Sequence, residues 1–197
     1  MNLNTELFYV VNDWAGQFAW LDNLMIFFTH TITYIFPLIL VLLWVSGQKE
    51  LKKASLYALF SFVLAILISK IIGMFYFHPR PFVEHLGTQL VDHAPDSSFP
   101  SDHSTAAFSI SFAIYWVRKR SGGYMLGLAA FTALSRVFIG VHFPADIIAG
   151  AIIGLLTSLI IYKSRHRLEP LVQLPISLYD RLLSKVKPRN NKTSLPK

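Results

Sequence analysis

The sequence predicts an all-α integral membrane protein: a helical bundle of five or six transmembrane helices, an N-terminal interfacial helix and a C-terminal amphipathic tail. Three observations predict it. Apolar residues make up 53% of the 197-residue chain and charged residues only 15%, whereas an average soluble domain is about 25% charged. Five apolar stretches approach the length, about 17–25 residues, that a helix needs to cross a bilayer. Within a single such stretch, only a helix satisfies every backbone polar group. The same composition excludes a disordered chain, which needs low hydrophobicity and high charge. Cysteine is absent, which excludes disulfides, thiolate metal sites and a cysteine nucleophile.

In chain order, the first 22 residues carry no Lys or Arg, so they do not read as a secretory signal. Leu3, Leu7, Val10, Val11 and Trp14 fall at helical spacing, which suits a helix over 3–16 that lies in the membrane interface or packs on the bundle. Spans are expected at 24–45, 54–76, 101–117, 122–141 and 143–162. The segment 46–53 carries Lys49, Lys52 and Lys53, and 118–123 carries Arg118, Lys119 and Arg120. Both fall on the same side as the tail. The positive-inside rule then places that side in the cytoplasm, and the N-terminus and the segment 77–100 outside. Lys and Arg balance Asp and Glu at 9 each over 1–162; the whole excess of +7 sits in 163–197. The chain therefore divides into a membrane-embedded domain, 1–162, and a basic cytoplasmic tail, 163–197. Basic residues after hydrophobic spans mark the side facing anionic lipid, not a nucleic-acid site. Leu174, Leu178, Leu182 and Val186 form one row of a surface helix over 175–187, and 188–197 has the composition of a disordered end.

The informative residues are polar groups at the outer ends of apolar spans. Three clusters occur: Lys70 with His78-Pro79-Arg80-Pro81; Pro100-Ser101-Asp102-His103; and Ser135-Arg136 with His142 and Asp146. A charge at membrane depth costs about 2.5–3.5 kcal/mol on insertion scales, so each is a functional candidate. The expected topology puts all three on one side. Two arginines offer forked donors for phosphate oxygens. Ser101 opens a helix whose free N–H groups and dipole favour an anion. Two histidines can serve as nucleophile and general acid. Asp146 can accept a hydrogen bond from one imidazole nitrogen and leave the other free to attack. The set describes phosphoryl transfer through a histidine, with no metal and no other cofactor. Alone, His142-x3-Asp146 also suits a metal pair or a helix cap.

Together these motifs resemble the type 2 phosphatidic acid phosphatase superfamily, whose motifs are K-x6-R-P, P-S-G-H and S-R-x5-H-x3-D. The third is complete from Ser135 to Asp146, and the first ends correctly in Arg80-Pro81. The resemblance covers residues 54–162. The stretch Tyr76–Phe82, the small size and Asp102 look most like the bacitracin-resistance-type undecaprenyl-diphosphatases of Gram-positive bacteria. It implies a plasma-membrane hydrolase acting outside the cytoplasm on a polyprenyl diphosphate lipid, recycling the cell-wall lipid carrier and conferring bacitracin resistance. It implies His142 as nucleophile, Asp146 as its orienting group, His103 as general acid, and Arg80, Ser101 and Arg136 as phosphate ligands. Another lipid phosphate as substrate, or a lipid-phosphate transporter, are the alternatives.

Two positions depart from the family. Gly73 stands where the lysine belongs, and Lys70 lies one turn back, about 4.5 Å deeper. There it either reaches the phosphate or pairs with another buried polar group. Asp102 replaces glycine and is read as tuning the site by raising the pKa of His103. The segment 82–99 holds Glu84, His85, Asp92, His93 and Asp96, read as a solvated loop over the site rather than as a metal centre. Phe75, Tyr76, Phe77, Phe82 and Phe143 either contact an isoprenoid chain or form an interfacial belt.

Overall fold

The computed structural model describes residues 2–186, so the expectation for 188–197 lies outside the described residues. Among the described residues there are eight α-helices and no strand: α1 (Leu3–Asn12), α2 (Ala19–Phe27), α3 (Thr33–Val45), α4 (Lys49–Phe75), α5 (Asp102–Val117), α6 (Lys119–Phe138), α7 (Pro144–Lys163) and α8 (Arg165–Val186). A π-helical turn, Phe28–Ile32, joins α2 to α3, and a short 3₁₀ turn, Pro81–Glu84, follows α4. The central layer is α4, α5 and α7. Around it α6 packs on α5, α3 on α4, α1 on α6 and α7, and α8 on α4.

Residue size, not polarity, decides which face of each long helix turns inward. On α4 the buried residues include Ala54, Ser55, Ala58, Ser61, Ala65 and Ser69, while Leu59, Val63, Leu67 and Ile71 form an exposed row. On α7 the buried residues include Gly150, Gly154, Thr157 and Ser158, while Ile148, Ile152, Leu156 and Ile160 are exposed. In water this arrangement would be unstable. In a bilayer it is expected, because lipid solvates large apolar side chains and small ones let helix backbones approach.

α5 and α7 approach closely along a glycine seam. A Cβ on Gly150 would lie 2.9 Å from Ser101 O and Thr105 N, and one on Gly154 would lie 2.6 Å from Ser109 N. Ser104 Oγ donates to Ile147 O at 2.6 Å across the same seam. Gly150-x3-Gly154 is therefore the contact that seats the start of α5 against the start of α7, where the second and third motifs lie.

The expected count of five spans is not met in full. By length and composition α4 and α7 qualify, and the α2–α3 pair makes a third if its two limbs, bent by 46°, form one broken span. α5 has only 16 residues, and α6 carries Lys119, Arg120 and Arg136 within its 20. The predicted 24–45 span is interrupted by the π turn, where Thr29 Oγ1 lies 2.9 Å from Ser135 Oγ of α6. A π turn bends a helix. α4 begins at Lys49 rather than at 54, so Lys49, Lys52 and Lys53 belong to a helix and not to a loop.

Both amphipathic ends dock through the face opposite to their leucine rows. On α1, Leu3, Leu7 and Val10 are exposed, whereas Phe8 and Asn12 are buried. Asn12 Nδ2 donates to Thr88 O at 2.9 Å and to Phe138 O at 2.7 Å, and Asn12 Oδ1 accepts from Thr88 N–H at 2.6 Å. It ties α1, the 77–100 segment and the end of α6 together. Asn12→Ala removes partners from three backbone groups, of which the buried Phe138 carbonyl alone is worth about 1–3 kcal/mol. Its thermal unfolding midpoint in detergent should fall by several degrees. A midpoint unchanged from wild type would show that α1 is dispensable.

The tail helix starts at Arg165, ten residues before the expected 175. Val172 and Ile176 are buried, and Leu174, Leu178 and Leu182 are exposed. Lys52 Nζ, itself buried, meets Asp180 Oδ1 at 2.5 Å, and Lys53 Nζ meets Glu169 at 2.7 Å. Tyr57 Oη also donates to Glu169, at 2.8 Å. Hydrogen bonds from Lys53, then Gln173 and Tyr57, hold the Glu169 carboxyl down at about 2. The basic tail is thus clamped to α4 by its two acidic residues.

Candidate active site

α7 begins at Pro144, whose fixed φ suits the first helical position. Asp146, two residues on, accepts the Phe143 N–H through Oδ2 at 2.7 Å. It thereby caps the helix in the manner of an N3 acid. The same Oδ2 lies 3.5 Å from His142 Nδ1. Capping and histidine orientation, alternatives in the sequence, are served by one oxygen.

Ser98 completes this link. Its hydroxyl donates to Asp146 Oδ2 and lies 3.2 Å from His142 Nδ1. On the other side of the ring, Arg80 Nη1 is 3.2 Å from His142 Nε2. A guanidinium only donates, so Nε2 is the unprotonated nitrogen and Nδ1 carries the proton, facing Ser98 and Asp146. The lone pair of Nε2 therefore points to the arginine side. Burial, first of all, pushes the His142 pKa down to about 4, against the hydrogen bond to Asp146, which raises it. The ring is neutral at physiological pH.

The predicted phosphate ligands stand around this nitrogen. Arg80 is 4% exposed and is fixed by Val141 O at 2.8 Å and by Asp96 Oδ1 at 2.9 Å. Asp96 is held below the ordinary carboxylate range: burial raises it, but Arg80 outweighs that by hydrogen bond and charge. Arg136, 3% exposed, presents its carbonyl to the Val141 and His142 N–H groups. Its Nε and Nη2 have no hydrogen-bond partner among the described residues, nor does Ser101 Oγ. Buried donors are almost always paired in proteins, and three unpaired atoms on two residues that are both tied by backbone bonds to the His142–Asp146 turn make a cradle suited to phosphoryl oxygens. Ser101 N–H donates to Asp146 O at 3.2 Å, which joins the second motif to the third. His103, in the first turn of α5, lies within electrostatic reach of Arg136, His142 and Arg80.

Lys70 does not join this group. Its Nζ meets Asp102 Oδ2 at 2.5 Å, and Ser69 Oγ donates to Asp102 Oδ1 at 2.8 Å. Of the two roles open to Lys70, the geometry favours pairing with a polar group. Both Asp102 oxygens are engaged on α4, turned from His103. Asp102→Gly is therefore expected to leave the pH profile of turnover in place and to shift KM modestly. A displaced acidic or alkaline limb would restore the idea that Asp102 tunes His103.

In the 77–100 segment, Asp96 is taken by Arg80, with His93 Nδ1 at 3.7 Å. Phe75, Tyr76 and Phe77 are exposed, but Phe143 is buried against Phe8, their centroids 5.5 Å apart. Phe143 is thus a core residue and not part of a belt. An apolar groove of about 340 Å³ runs between α3, α4 and α5 from Tyr34 and Phe36, past Leu59 and Phe62, to Asp102 and His103. Ser98 and Asn12 were missed by sequence reasoning, because Ser and Asn are common residues with no distinctive spacing. Gly150-x3-Gly154 is a readable small-residue signal for close helix packing.

The PAP2 superfamily matches residues 54–170. Undecaprenyl-diphosphatase BcrC of Bacillus subtilis is 30% identical over 93% of this chain and 95% of its own. The bacitracin transport permease protein BcrC of Bacillus licheniformis is 32% identical over 98% and 95%. The crystal structure of Aquifex aeolicus LpxE superposes with a TM-score of 0.71 at 25% identity, covering 83% of this chain and 96% of that one. With its lipid-facing helices and its clustered motifs, the chain belongs to the PAP2 superfamily and is a membrane-embedded phosphatase.

Proposed function

We propose that the protein hydrolyses undecaprenyl diphosphate to undecaprenyl phosphate and inorganic phosphate, at the extracytoplasmic face of the plasma membrane. The observation that carries this is the cradle of buried, unpartnered donors beside an unprotonated His142 Nε2. Nε2 attacks the terminal phosphorus, forming an N–P bond as the bridging P–O bond breaks. His103 gives its proton to the leaving oxygen. It then takes one from water, whose oxygen attacks the phosphoenzyme and releases phosphate. Arg80, Arg136 and Ser101 stabilise the charge that gathers on the equatorial oxygens. Asp146, through Ser98, holds the Nδ1 proton and so keeps Nε2 free.

The lipid choice is supported by the Bacillus subtilis relative's name and by the apolar groove that opens at His103. The isoprene units nearest the headgroup are placed in it, with the diphosphate at the general acid. The Bacillus licheniformis relative is named for transport, which makes lipid binding without turnover the second reading. A binder needs the arginines but not an oriented, neutral nucleophile.

Detergent-purified protein is expected to release phosphate from undecaprenyl diphosphate in excess EDTA. Release abolished by the chelator would contradict the metal-free chemistry. Release only from phosphatidic acid or phosphatidylglycerol phosphate would move the substrate. Saturable lipid binding without release would favour transport. In cells, higher expression should raise bacitracin resistance, because bacitracin sequesters the diphosphate.

A further inference from the structure

Asp146 is fully buried, yet among the described residues only one of its oxygens accepts hydrogen bonds: Oδ2 receives Phe143 N–H and Ser98, while Oδ1 has no hydrogen-bond partner. His78 Nδ1 lies 3.8 Å from Oδ1. That nitrogen is also buried and also without a partner among the described residues. Two buried polar atoms that face each other and bond to nothing else form a complementary pair. The His78 ring is aimed by its surroundings. It stacks on Tyr76 at 6.2 Å and meets Phe143 edge-on at 5.3 Å. Its backbone is pinned as well, since its carbonyl accepts Ser98 N–H at 2.8 Å.

We propose that His78 is a positioning residue that acts through Asp146: its Nδ1–H closes onto Oδ1 and fixes the plane of the carboxylate, so that Oδ2 stays on Ser98 and the Phe143 N–H while His142 attacks. The proposal rests on His142 as the nucleophile. A spacing of 3.8 Å is outside hydrogen-bond range, and a closure of less than about 1 Å brings it inside. The need for it is physical. A buried polar atom left without a partner is costly, so without His78 the carboxylate turns Oδ1 toward another donor. A rotated Asp146 would release Ser98, nothing would then hold the His142 proton on Nδ1, and it would move to Nε2. The lone pair would then face Ser98, away from phosphorus. Asp146 is thus flanked by two histidines, His142 on one oxygen and His78 on the other, with Arg80 and Arg136 beyond His142.

His78→Phe keeps the aromatic packing and removes the donor, and His78→Asn places an amide where Nδ1 stood. His78→Phe should lower kcat on undecaprenyl diphosphate by ~10–100-fold with KM little changed, and His78→Asn should recover most of that loss. Histidine ring-nitrogen NMR, with His142 identified by its absence in His142→Gln, should show the Nδ1–H form in wild type and His78→Asn. It should show loss of that form in His78→Phe. An unchanged kcat and tautomer in His78→Phe would overturn the proposal. Equal losses in both variants with the Nδ1–H form intact would overturn it too, because packing alone would then explain them. If the wild type fails to turn over this lipid, the substrate reading fails while the nitrogen spectra still decide the role of His78.

Discussion

His142→Ala is expected to lower phosphate release about 10⁵- to 10⁶-fold, the scale seen when a covalent nucleophile is removed. The substrate should still bind, because Arg80 keeps Val141 O and Asp96 as partners and the cradle of Arg136 and Ser101 is untouched. The loss should therefore appear in kcat and not in KM. His142→Gln is the sharper variant, since its amide fills the place of the ring without offering a nucleophilic lone pair. The same geometry fixes a pH dependence. Burial depresses the His142 pKa to about 4, so Nε2 keeps its lone pair above that pH and loses it to a proton below. kcat/KM should hold flat through weakly acidic pH on account of this group and fall as pH drops through about 4. An acid limb near the ordinary histidine range that disappears in no other variant would place the nucleophile elsewhere.

Gly150→Ala carries the second large effect, although it changes no polar group. Its Cβ would sit 2.9 Å from Ser101 O, Ser104 Cβ and Thr105 N. Two of these are backbone atoms, so no side-chain rotation relieves the clash. α5 must move away from α7, carrying Ser101 and His103 with it. A displacement of about 1 Å at reacting groups costs about 10²-fold in rate, and overpacking costs about 1–3 kcal/mol in stability. Both should be seen, as lower kcat and as a lower unfolding midpoint in detergent. Gly123→Ala and Gly127→Ala are the controls. Neither Cβ would meet anything within 4 Å, so both should be active and, as alanines replacing helical glycines, no less stable. A Gly150→Ala enzyme with full activity would mean that the α5–α7 seam does not set the site.

The parts of the site that chemistry restricts to a few residue types were legible in the sequence. Arg80, Ser101, His103, Arg136, His142 and Asp146 stand out because charge and imidazole are costly at membrane depth. The structure gathers Arg80, Ser101, Arg136, His142 and Asp146 by direct bonds or shared burial. What escaped was carried by common residues. Ser98, which bridges His142 and Asp146, is one serine among many. The docking face of α1 escaped because apolar periodicity marks the face with large side chains, and here that face points outward while Phe8 and Asn12 point in. On α8 the leucine row is likewise exposed, and the docking residues are Val172 and Ile176. Only two or three of the five expected spans pass on length and composition, because α5 is short and α6 carries charge at both ends. In a membrane bundle, hydropathy reports contact with lipid, as on the outer faces of α4 and α7.

The central claim is that phosphate passes through His142. Its most direct test is an alkaline quench of the protein during turnover of undecaprenyl diphosphate, followed by mass spectrometry of its peptides. Phosphate is expected on His142, and more of it in His103→Ala, where water is no longer activated to remove it. Phosphate release with no phosphorylated His142 in either protein would contradict the account and point to direct attack by water.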